Sequence, residues 1–237
     1  MKKIIFVILF LAIAAYLFYQ YGRTIWHPAT TKITGKKTVA EVIDLYGDQA
    51  RQELEPLFNK KGISYPPSKL ALVAFKEKDV LEVWASNGSG YQLITSYPIK
   101  AASGVPGPKL REGDKQVPEG IYKIIGFNPN SAYHLSMKLN YPNDFDLVHA
   151  KNEGRTYPGT NIFIHGRAAS IGCLAMGDPA IEQLFSLVYA TGKSNTTVLI
   201  SPSDPSQSTL RPPADSPSWV SDLYKDIESK YSEITGK

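Results

Sequence analysis

The residues best suited to chemistry lie in one short stretch, residues 161–176, with the sequence NIFIHGRAASIGCLAM. Its apolar beginning predicts a strand that brings His165 to the edge of a sheet, and a turn at Gly166 then returns the chain. Cys173 follows eight positions after His165, so a compact loop can place imidazole and thiol within hydrogen-bonding reach. A neighbouring imidazole stabilises the thiolate that attacks a carbonyl carbon. The spacing therefore predicts Cys173 as a nucleophile and His165 as its general base.

Gly172 directly precedes the predicted nucleophile. A glycine lets the backbone approach closely, so the amides of Gly172 and Cys173 can point at the oxyanion that develops during attack. Asp178 and Pro179 predict the start of a helix just beyond, and its N-terminal dipole also favours negative charge nearby. We therefore predict that Gly172 belongs to the catalytic constellation.

The chain has one cysteine and four histidines, which narrows the choice of catalytic residues. A lone cysteine can be inert and buried, can pair with another chain, or can be a reactive thiol, and the surrounding sequence favours the last alternative. His27 follows the apolar N-terminus, and His149 lies in a polar segment where we expect an ordinary surface residue. His134 either lines the active-site cleft or has a structural role. His165 remains as the base.

Composition and spacing exclude several other classes of protein. The cysteine and the histidines lack the spacing of a metal site, and no glycine-rich phosphate-binding motif is present, so we predict no metal and no cofactor. The 26 basic and 22 acidic residues give a net charge of +4, without a basic stripe interleaved with aromatic residues. We therefore predict no nucleic-acid partner.

The N-terminus carries an uncharged run from Ile4 to Gly22, preceded by two lysines and followed by Arg23. As a helix this run would span about 28 Å, close to a hydrocarbon core of about 30 Å, so it predicts a transmembrane helix with the rest of the chain outside the cytoplasm. A cleaved signal peptide is the alternative, because residues 12–14 resemble a cleavage box. The apolar run continues past that box, which favours an uncleaved anchor.

The rest of the chain divides into segments that differ in the spacing of their apolar residues. Thr38 predicts a helix start because Glu41 follows in a capping-box pattern, and one apolar face then continues to about Gly62. From Lys69 the pattern changes to short apolar runs between glycine and proline turns, which predicts a β-rich body with few helices. We expect strands at 70–75, 80–84, 91–99, 121–125, 161–165 and 197–200, and a helix at 178–189.

Residues 202–217 are rich in proline and serine and predict a tether. An apolar stripe after Pro217 predicts a last helix that docks on the body, and a helix that covers the active site is the alternative. The predicted units are a membrane anchor or signal peptide at 1–23, a spacer and amphipathic helix at 24–68, a catalytic domain at 69–201, and the tether with the C-terminal helix at 202–237.

These motifs together resemble those of the YkuD-type L,D-transpeptidases, and most closely the YafK-like branch. The resemblance covers about residues 69–201. It rests on Ile164-His165-Gly166, Ser170-x-Gly172-Cys173-x-x-Met176, the turn at 114–122 containing Pro118-Glu119-Gly120, and the segments 131–136 and 140–143. It implies an α+β, β-rich L,D-transpeptidase catalytic fold, with a mixed sheet or sandwich and few helices.

The resemblance also implies a reaction on peptidoglycan stem peptides, on the periplasmic side of the bacterial inner membrane. Cys173 would attack the carbonyl at the L-centre of diaminopimelate, expel D-alanine and form a thioester, which an amine from another stem or from a lipoprotein resolves. His165 would move the proton, oriented through a backbone carbonyl near Gly166, and Ser170 would order the loop. Peptidoglycan stems, a peptidoglycan-linked lipoprotein and the inner membrane are thus the expected partners.

Two departures from the family pattern leave the acceptor open. The histidine and cysteine lie closer together than in most of the family, and Ala175 stands where an arginine is common, so Arg167 or Arg111 would have to bind a substrate carboxylate. With water as acceptor, the same residues would form an amidase or carboxypeptidase that cuts peptidoglycan or lipoprotein–peptidoglycan links. A catalytically silent wall-binding module is the third possibility.

Overall fold

The computed structural model describes residues 2–236, and within them the chain forms six α-helices and eight strands. The helices are α1 (Lys2–Tyr21), α2 (Arg23–Thr34), α3 (Val39–Asn59), α4 (Asp144–Asn152), α5 (Asp178–Thr191) and α6 (Val220–Thr235). The strands are β1 (Lys69–Phe75), β2 (Val80–Ser86), β3 (Gln92–Pro98), β4 (Gly120–Ser131), β5 (His134–Leu139), β6 (Phe163–His165), β7 (Leu174–Ala175) and β8 (Thr196–Ser201).

The strands form one mixed sheet in the order β3-β2-β1-β8-β4-β5-β6-β7. β1 pairs antiparallel with β2 and parallel with β8. β4 is long enough to serve two partners, since residues 120–123 pair with β8 and residues from Ile124 onward pair with β5. β4 therefore connects the half of the sheet formed by β3, β2, β1 and β8 to the half formed by β5, β6 and β7. The architecture is mixed α+β, with a continuous sheet rather than a sandwich of two.

The central strand β1 is covered on both faces. Leu70, Leu72 and Ala74 belong to a core shared with α3 and α5, whereas the alternate residues Val73 and Phe75 pack with α6. A strand buried on both faces needs an uninterrupted apolar sequence, which explains the run at 70–75. The buried residues of α6 are Val220, Leu223, Tyr224, Ile227, Tyr231 and Ile234, so the docking predicted for the last helix is confirmed.

The predicted start of α3 is also confirmed. The Thr38 side chain accepts from the Glu41 amide at 3.2 Å, and Glu41 accepts in return from the Thr38 amide at 2.6 Å. Because the helix continues to Asn59, Pro56 does not end it. Val42, Ala50, Leu54 and Phe58 form its buried face.

Two segments that we expected to lack regular structure are helical. Residues 24–37, predicted to be a polar spacer, are mostly within α2. His149, predicted to lie in a surface loop, is on α4, where its ring stacks on Trp219 with centroids 4.5 Å apart. Asn143 and Asp146 form a capping box at the start of α4. That local signal fixes the helix although its sequence has no clear apolar stripe.

No helix among the described residues is both long enough and apolar enough to cross a membrane. The transmembrane helix predicted for residues 1–23, with its single-pass anchor in the inner membrane, is therefore wrong. The prediction counted Gln20, Tyr21 and Gly22 within the span. The apolar residues between Lys3 and Gln20 would extend only about 24 Å as a helix, short of a hydrocarbon core of about 30 Å.

A buried ion pair holds the long loop between β3 and β4. Lys76 Nζ lies 2.8 Å from Glu119 Oε1, and both side chains are almost fully buried. Lys76 also donates to the carbonyls of Val105 and Gly107, and Glu119 accepts from the Gly107 amide. The second Glu119 oxygen accepts from the Tyr224 hydroxyl of α6 at 2.8 Å. This clamp joins β1, the loop and α6 at one point.

We expect Lys76→Met to lower the free energy of unfolding by about 3 kcal/mol, because it leaves the Glu119 carboxylate buried without its cation. Chemical denaturation followed by circular dichroism measures the change. Lys225→Met, which removes an exposed cation beside Asp222 on α6, is the matched control and should leave the midpoint unchanged. Equal midpoints for the two variants would show that the buried pair does not stabilise the fold.

Candidate active site

His165 is the last residue of β6, between β5 and β7. Its side chain is 3% exposed, and Nδ1 lies 2.6 Å from the Gly166 carbonyl oxygen. Since a carbonyl only accepts, Nδ1 carries the proton and Nε2 keeps its lone pair. Burial lowers the pKa of His165, and the hydrogen bond to Gly166 partly opposes that shift. The imidazole is therefore neutral, oriented and able to accept a proton through Nε2.

Cys173 lies directly before β7, which pairs parallel with β6. His165 pairs with Ala175, so alternation along β7 directs the Cys173 side chain to the same sheet face as His165. The thiol lies 3.8 Å from the Asn161 carbonyl oxygen. Burial raises the pKa of the Cys173 thiol, while a backbone hydrogen bond from Phe163 and the positive charge of Lys109 oppose the shift.

Two serine hydroxyls hold the loop that carries Cys173, the predicted nucleophile. The Cys173 amide donates to Ser170 Oγ at 2.9 Å, and this hydroxyl donates back to the Cys173 carbonyl. The Gly172 amide donates to Ser103 Oγ at 2.6 Å. Both amides predicted to bind an oxyanion are thus engaged by hydroxyls in this structure. Their oxyanion role stays a prediction, and it requires a substrate oxygen to displace those hydroxyls.

Both glycines of the site are required by their surroundings. A Cβ on Gly166 would lie 2.7 Å from the Tyr133 carbonyl oxygen and 2.8 Å from Asp178 Oδ1. Gly172 has a φ of +93°, and a Cβ there would lie 3.3 Å from the Gln116 carbonyl oxygen. Any side chain at these positions would displace the backbone next to His165 or Cys173.

Arg167 and His134 both contact α5. The Arg167 amide donates to Asp178 Oδ1 at 2.8 Å, and its guanidinium lies 3.4 Å from Asp178 Oδ2. His134 Nε2 lies 2.6 Å from Glu182 Oε1. The geometry therefore gives both residues a role in fixing α5 against the site, and their contact with substrate stays a prediction.

Three residues near the predicted catalytic pair lie outside the motif at 161–176. The Tyr133 ring lies beside the His165 ring, with centroids 4.6 Å apart. Lys109 is buried and ion-paired with Asp114, and its charge acts on Cys173. Ser103 reaches the site from a loop far away in sequence. The family resemblance includes the segment 131–136, which contains Tyr133, and the turn at 114–122, which contains Asp114, but it includes neither Ser103 nor Lys109.

Position 175 leaves no room for a long side chain. Ala175 is fully buried in β7, its amide donates to the Ala101 carbonyl at 3.0 Å, and its carbonyl accepts from the Lys100 amide at 2.7 Å. An arginine here would need the neighbouring strand segment to move. Position 175 therefore cannot supply a cation that binds a substrate carboxylate. Within residues 2–236, no cluster of three or more histidine, cysteine or acidic side chains could hold a metal ion.

The model of the YkuD family, the L,D-transpeptidase catalytic domain, matches residues 69–200, more than half of the chain. The chain belongs to this family. The predicted membership of the YkuD family is confirmed, and with it the prediction of an L,D-transpeptidase type of catalytic domain.

Relatives of this YkuD domain agree with the predicted branch. A protein of Escherichia coli (strain K12) with the provisional name L,D-transpeptidase YafK is 37% identical over 123 residues, which are 51% of this chain and 48% of the relative. The chain thus spans about half the length of the curated relatives it matches.

Two solved structures are also similar. The helical cell shape determining protein Pgp2 from Campylobacter jejuni has a TM-score of 0.48 at 21% identity, covering 57% of this chain and 48% of Pgp2. Bd1075 from Bdellovibrio bacteriovorus has a TM-score of 0.43 at 24% identity, covering 68% of this chain and 54% of Bd1075.

Because burial favours the neutral thiol, alkylation of Cys173 by iodoacetamide should rise with pH around a midpoint above about 8.5, the ordinary value for a cysteine. The chain has a single cysteine, so mass spectrometry of the adduct reports this thiol alone. The same chain in denaturant is the control and should return to the ordinary midpoint. A plateau of fast alkylation already at pH 6–7 would instead mean a preformed thiolate–imidazolium pair.

Gly166→Ala should lower kcat about a hundredfold, because the added methyl displaces the carbonyl that orients His165. Gly126→Ala is the matched control, since its nearest neighbour, Lys138 Cβ, lies 3.8 Å away. Steady-state kinetics on an isolated stem peptide measure both variants. Similar rates for the two would show that the position of the Gly166 backbone does not limit catalysis.

Proposed function

We propose that this YkuD-family chain is a cysteine-dependent L,D-transpeptidase that acts on peptidoglycan stem peptides through a thioester on Cys173. The observation that carries the proposal is the pairing of β6 with β7. It places the strand that ends in the oriented, neutral imidazole of His165 next to the strand that Cys173, the only thiol of the chain, directly precedes.

The first half-reaction transfers an acyl group to the enzyme. His165 Nε2 takes the thiol proton as Sγ attacks the carbonyl carbon at the L-centre of diaminopimelate. The tetrahedral intermediate collapses, the carbon–nitrogen bond to D-alanine breaks, and the imidazolium returns the proton to the leaving amine. A thioester on Cys173 and free D-alanine result.

The second half-reaction resolves the thioester. An amine from another stem or from a lipoprotein attacks the thioester carbonyl, His165 accepts the amine proton, and that proton returns to the departing sulfur. A new amide and the free thiol result. The orientation of His165 by the Gly166 carbonyl serves both directions of proton transfer.

The electrostatics favour proton transfer during attack over a preformed ion pair. Burial lowers the pKa of His165 and raises the pKa of Cys173, so both shifts favour neutral groups in the free enzyme. Charge then develops only as the sulfur approaches the carbonyl carbon. Lys109 and the Phe163 amide lie where they favour negative charge on sulfur.

The substrate sets the place of action. Peptidoglycan lies outside the cytoplasmic membrane, so the proposal puts the catalytic domain, residues 69–201, on the periplasmic side. Residues 24–68 and 202–237 are proposed to be the flanking units of this domain. Gly172 and Ser170 are proposed to shape the nucleophile loop, with Arg167 and His134 holding the helix beside it.

Hydrolysis is the second candidate, because Ala175 replaces an arginine that could bind a carboxylate of an acceptor stem. With water in place of the amine, the same thioester gives an amidase or carboxypeptidase. Such an enzyme would cut peptidoglycan or lipoprotein–peptidoglycan links.

The test incubates the full-length chain with purified sacculi and with isolated stem tetrapeptides, and mass spectrometry identifies the products. New diaminopimelate–diaminopimelate links or exchange of the terminal D-amino acid would establish transpeptidation. Cys173→Ala should abolish the reaction, and His165→Gln should slow it about 10²–10⁴-fold. His27→Gln, which changes a histidine of α2, is the matched control.

Release of peptides or lipoprotein without new links would replace transpeptidation by hydrolysis. Unchanged substrates together with no thioester mass on the chain would contradict both enzyme proposals. A wall-binding module without catalysis would then account for the fold.

A further inference from the structure

One cleft of the molecule is lined by neither His165 nor Cys173. Three segments form its walls, namely residues 105–116, 154–157 and 213–217, and its volume is about 880 Å³. That volume is in the range of small-molecule and peptide sites. The lining is mostly apolar, with exposed side chains of Arg111, Tyr157 and Asp215. We call it the 105–116 cleft.

The cleft borders the site of chemistry. Gln116 lines the cleft, and its carbonyl oxygen packs against Gly172, 3.3 Å from the position of a Cβ there. Ser103, just before the cleft wall, accepts from the Gly172 amide. Gln116 therefore separates the cleft from the residue that precedes Cys173.

The wall that carries Arg111 is rigid before any ligand binds. Asp114 accepts from the amides of Leu110, Arg111 and Gln116 and from Lys109 Nζ. The Gln116 side chain in turn bonds to Val105 and Gly107. Because this loop is already ordered, a ligand loses little further chain entropy when it binds.

The cations at the cleft differ in their availability. Arg155 lines the cleft and donates to Glu153 and to the Leu110 carbonyl, and the nearby Lys109, outside the lining, is paired with Asp114. The Arg111 backbone is fixed by Asp114, but its side chain is exposed on the cleft wall. A guanidinium in this position suits a carboxylate, which it binds with two parallel hydrogen bonds.

We infer that the 105–116 cleft is the subsite for a carboxylate-bearing part of the stem peptide, with Arg111 as the carboxylate receptor and Tyr157 as an apolar wall. This inference rests on the proposed function for the identity of the ligand. It supplies the cation that position 175 lacks. Asp215 also lines the cleft, and its negative charge suits the amino group that a diaminopimelate side chain carries.

The test measures binding, which is independent of turnover, with the full-length Cys173→Ala chain. Isothermal titration calorimetry compares a stem tetrapeptide having free carboxylates with the same peptide amidated at its carboxylates. Arg111→Gln should weaken binding of the free-carboxylate peptide about tenfold and leave the weaker binding of the amidated peptide unchanged. Arg111→Lys should restore part of the loss, because it keeps the charge without the bidentate geometry.

Arg51→Gln, on the outer surface of α3, is the matched loss of a positive charge and should leave binding unchanged. Equal loss for the free and amidated peptides, or no loss, would overturn the inference. So would an effect of Arg111→Gln on peptide-free glycan strands alone, since the occupant would then be the sugar chain. If the Cys173→Ala chain binds the peptide through Arg111 but the unaltered chain transforms no substrate, the cleft assignment stands and the proposed function fails.

Discussion

The shortness of the connection between β6 and β7 constrains everything else at the site. Parallel strands usually need a crossover of about a dozen residues or more, yet here residues 166–173 alone return the chain. Such a turn requires an unusual backbone, with positive φ at Arg167 and Gly172 and no space for a Cβ on Gly166. Side chains from outside the turn then hold it, Asp178 from α5 at one end and Ser103 at the other. The relative position of His165 and Cys173, the proposed base and nucleophile, is thus set by this turn and by the side chains that hold it.

His165 is almost fully buried and Cys173 is half-buried, and this burial bears on how the proposed reaction begins. Burial favours the neutral imidazole of His165 and the neutral thiol of Cys173, so in the proposed reaction the thiol keeps its proton until a carbonyl arrives. The groups that favour charge on sulfur or on the imidazole are fixed in advance, namely the Gly166 carbonyl, the Phe163 amide and Lys109. Fixed dipoles of this kind stabilise a transition state without having to reorient.

What the sequence could predict follows from how local each signal is. The capping box of α3, the apolar sequence of β1 and the spacing of His165 and Cys173 each depend on residues within a few positions of one another. The sequence alone therefore indicates all three. The pairing of β5 with β6 brings Tyr133 to His165. These two strands lie far apart in the sequence, and the spacing of apolar residues does not indicate which strands pair. Ser103 and Lys109 come from a loop rich in glycine and proline, whose path is set by burial of Lys76 and Glu119. The membrane prediction failed because it counted the uncharged residues Gln20 to Gly22 as part of the span.

Glu119 shows how distant parts of the chain bear on the catalytic loop. Its carboxylate accepts from Lys76, from the Gly107 amide and from Tyr224, so α6 and the 103–118 loop share one buried charge. The same loop supplies Ser103 and Gln116, which hold Gly172. Because a buried carboxylate that loses a partner is costly, α6 cannot leave the sheet without disturbing that loop. The C-terminal helix α6 therefore influences the site indirectly, because it stabilises the loop that forms the wall of the cleft. This effect does not require α6 to cover Cys173.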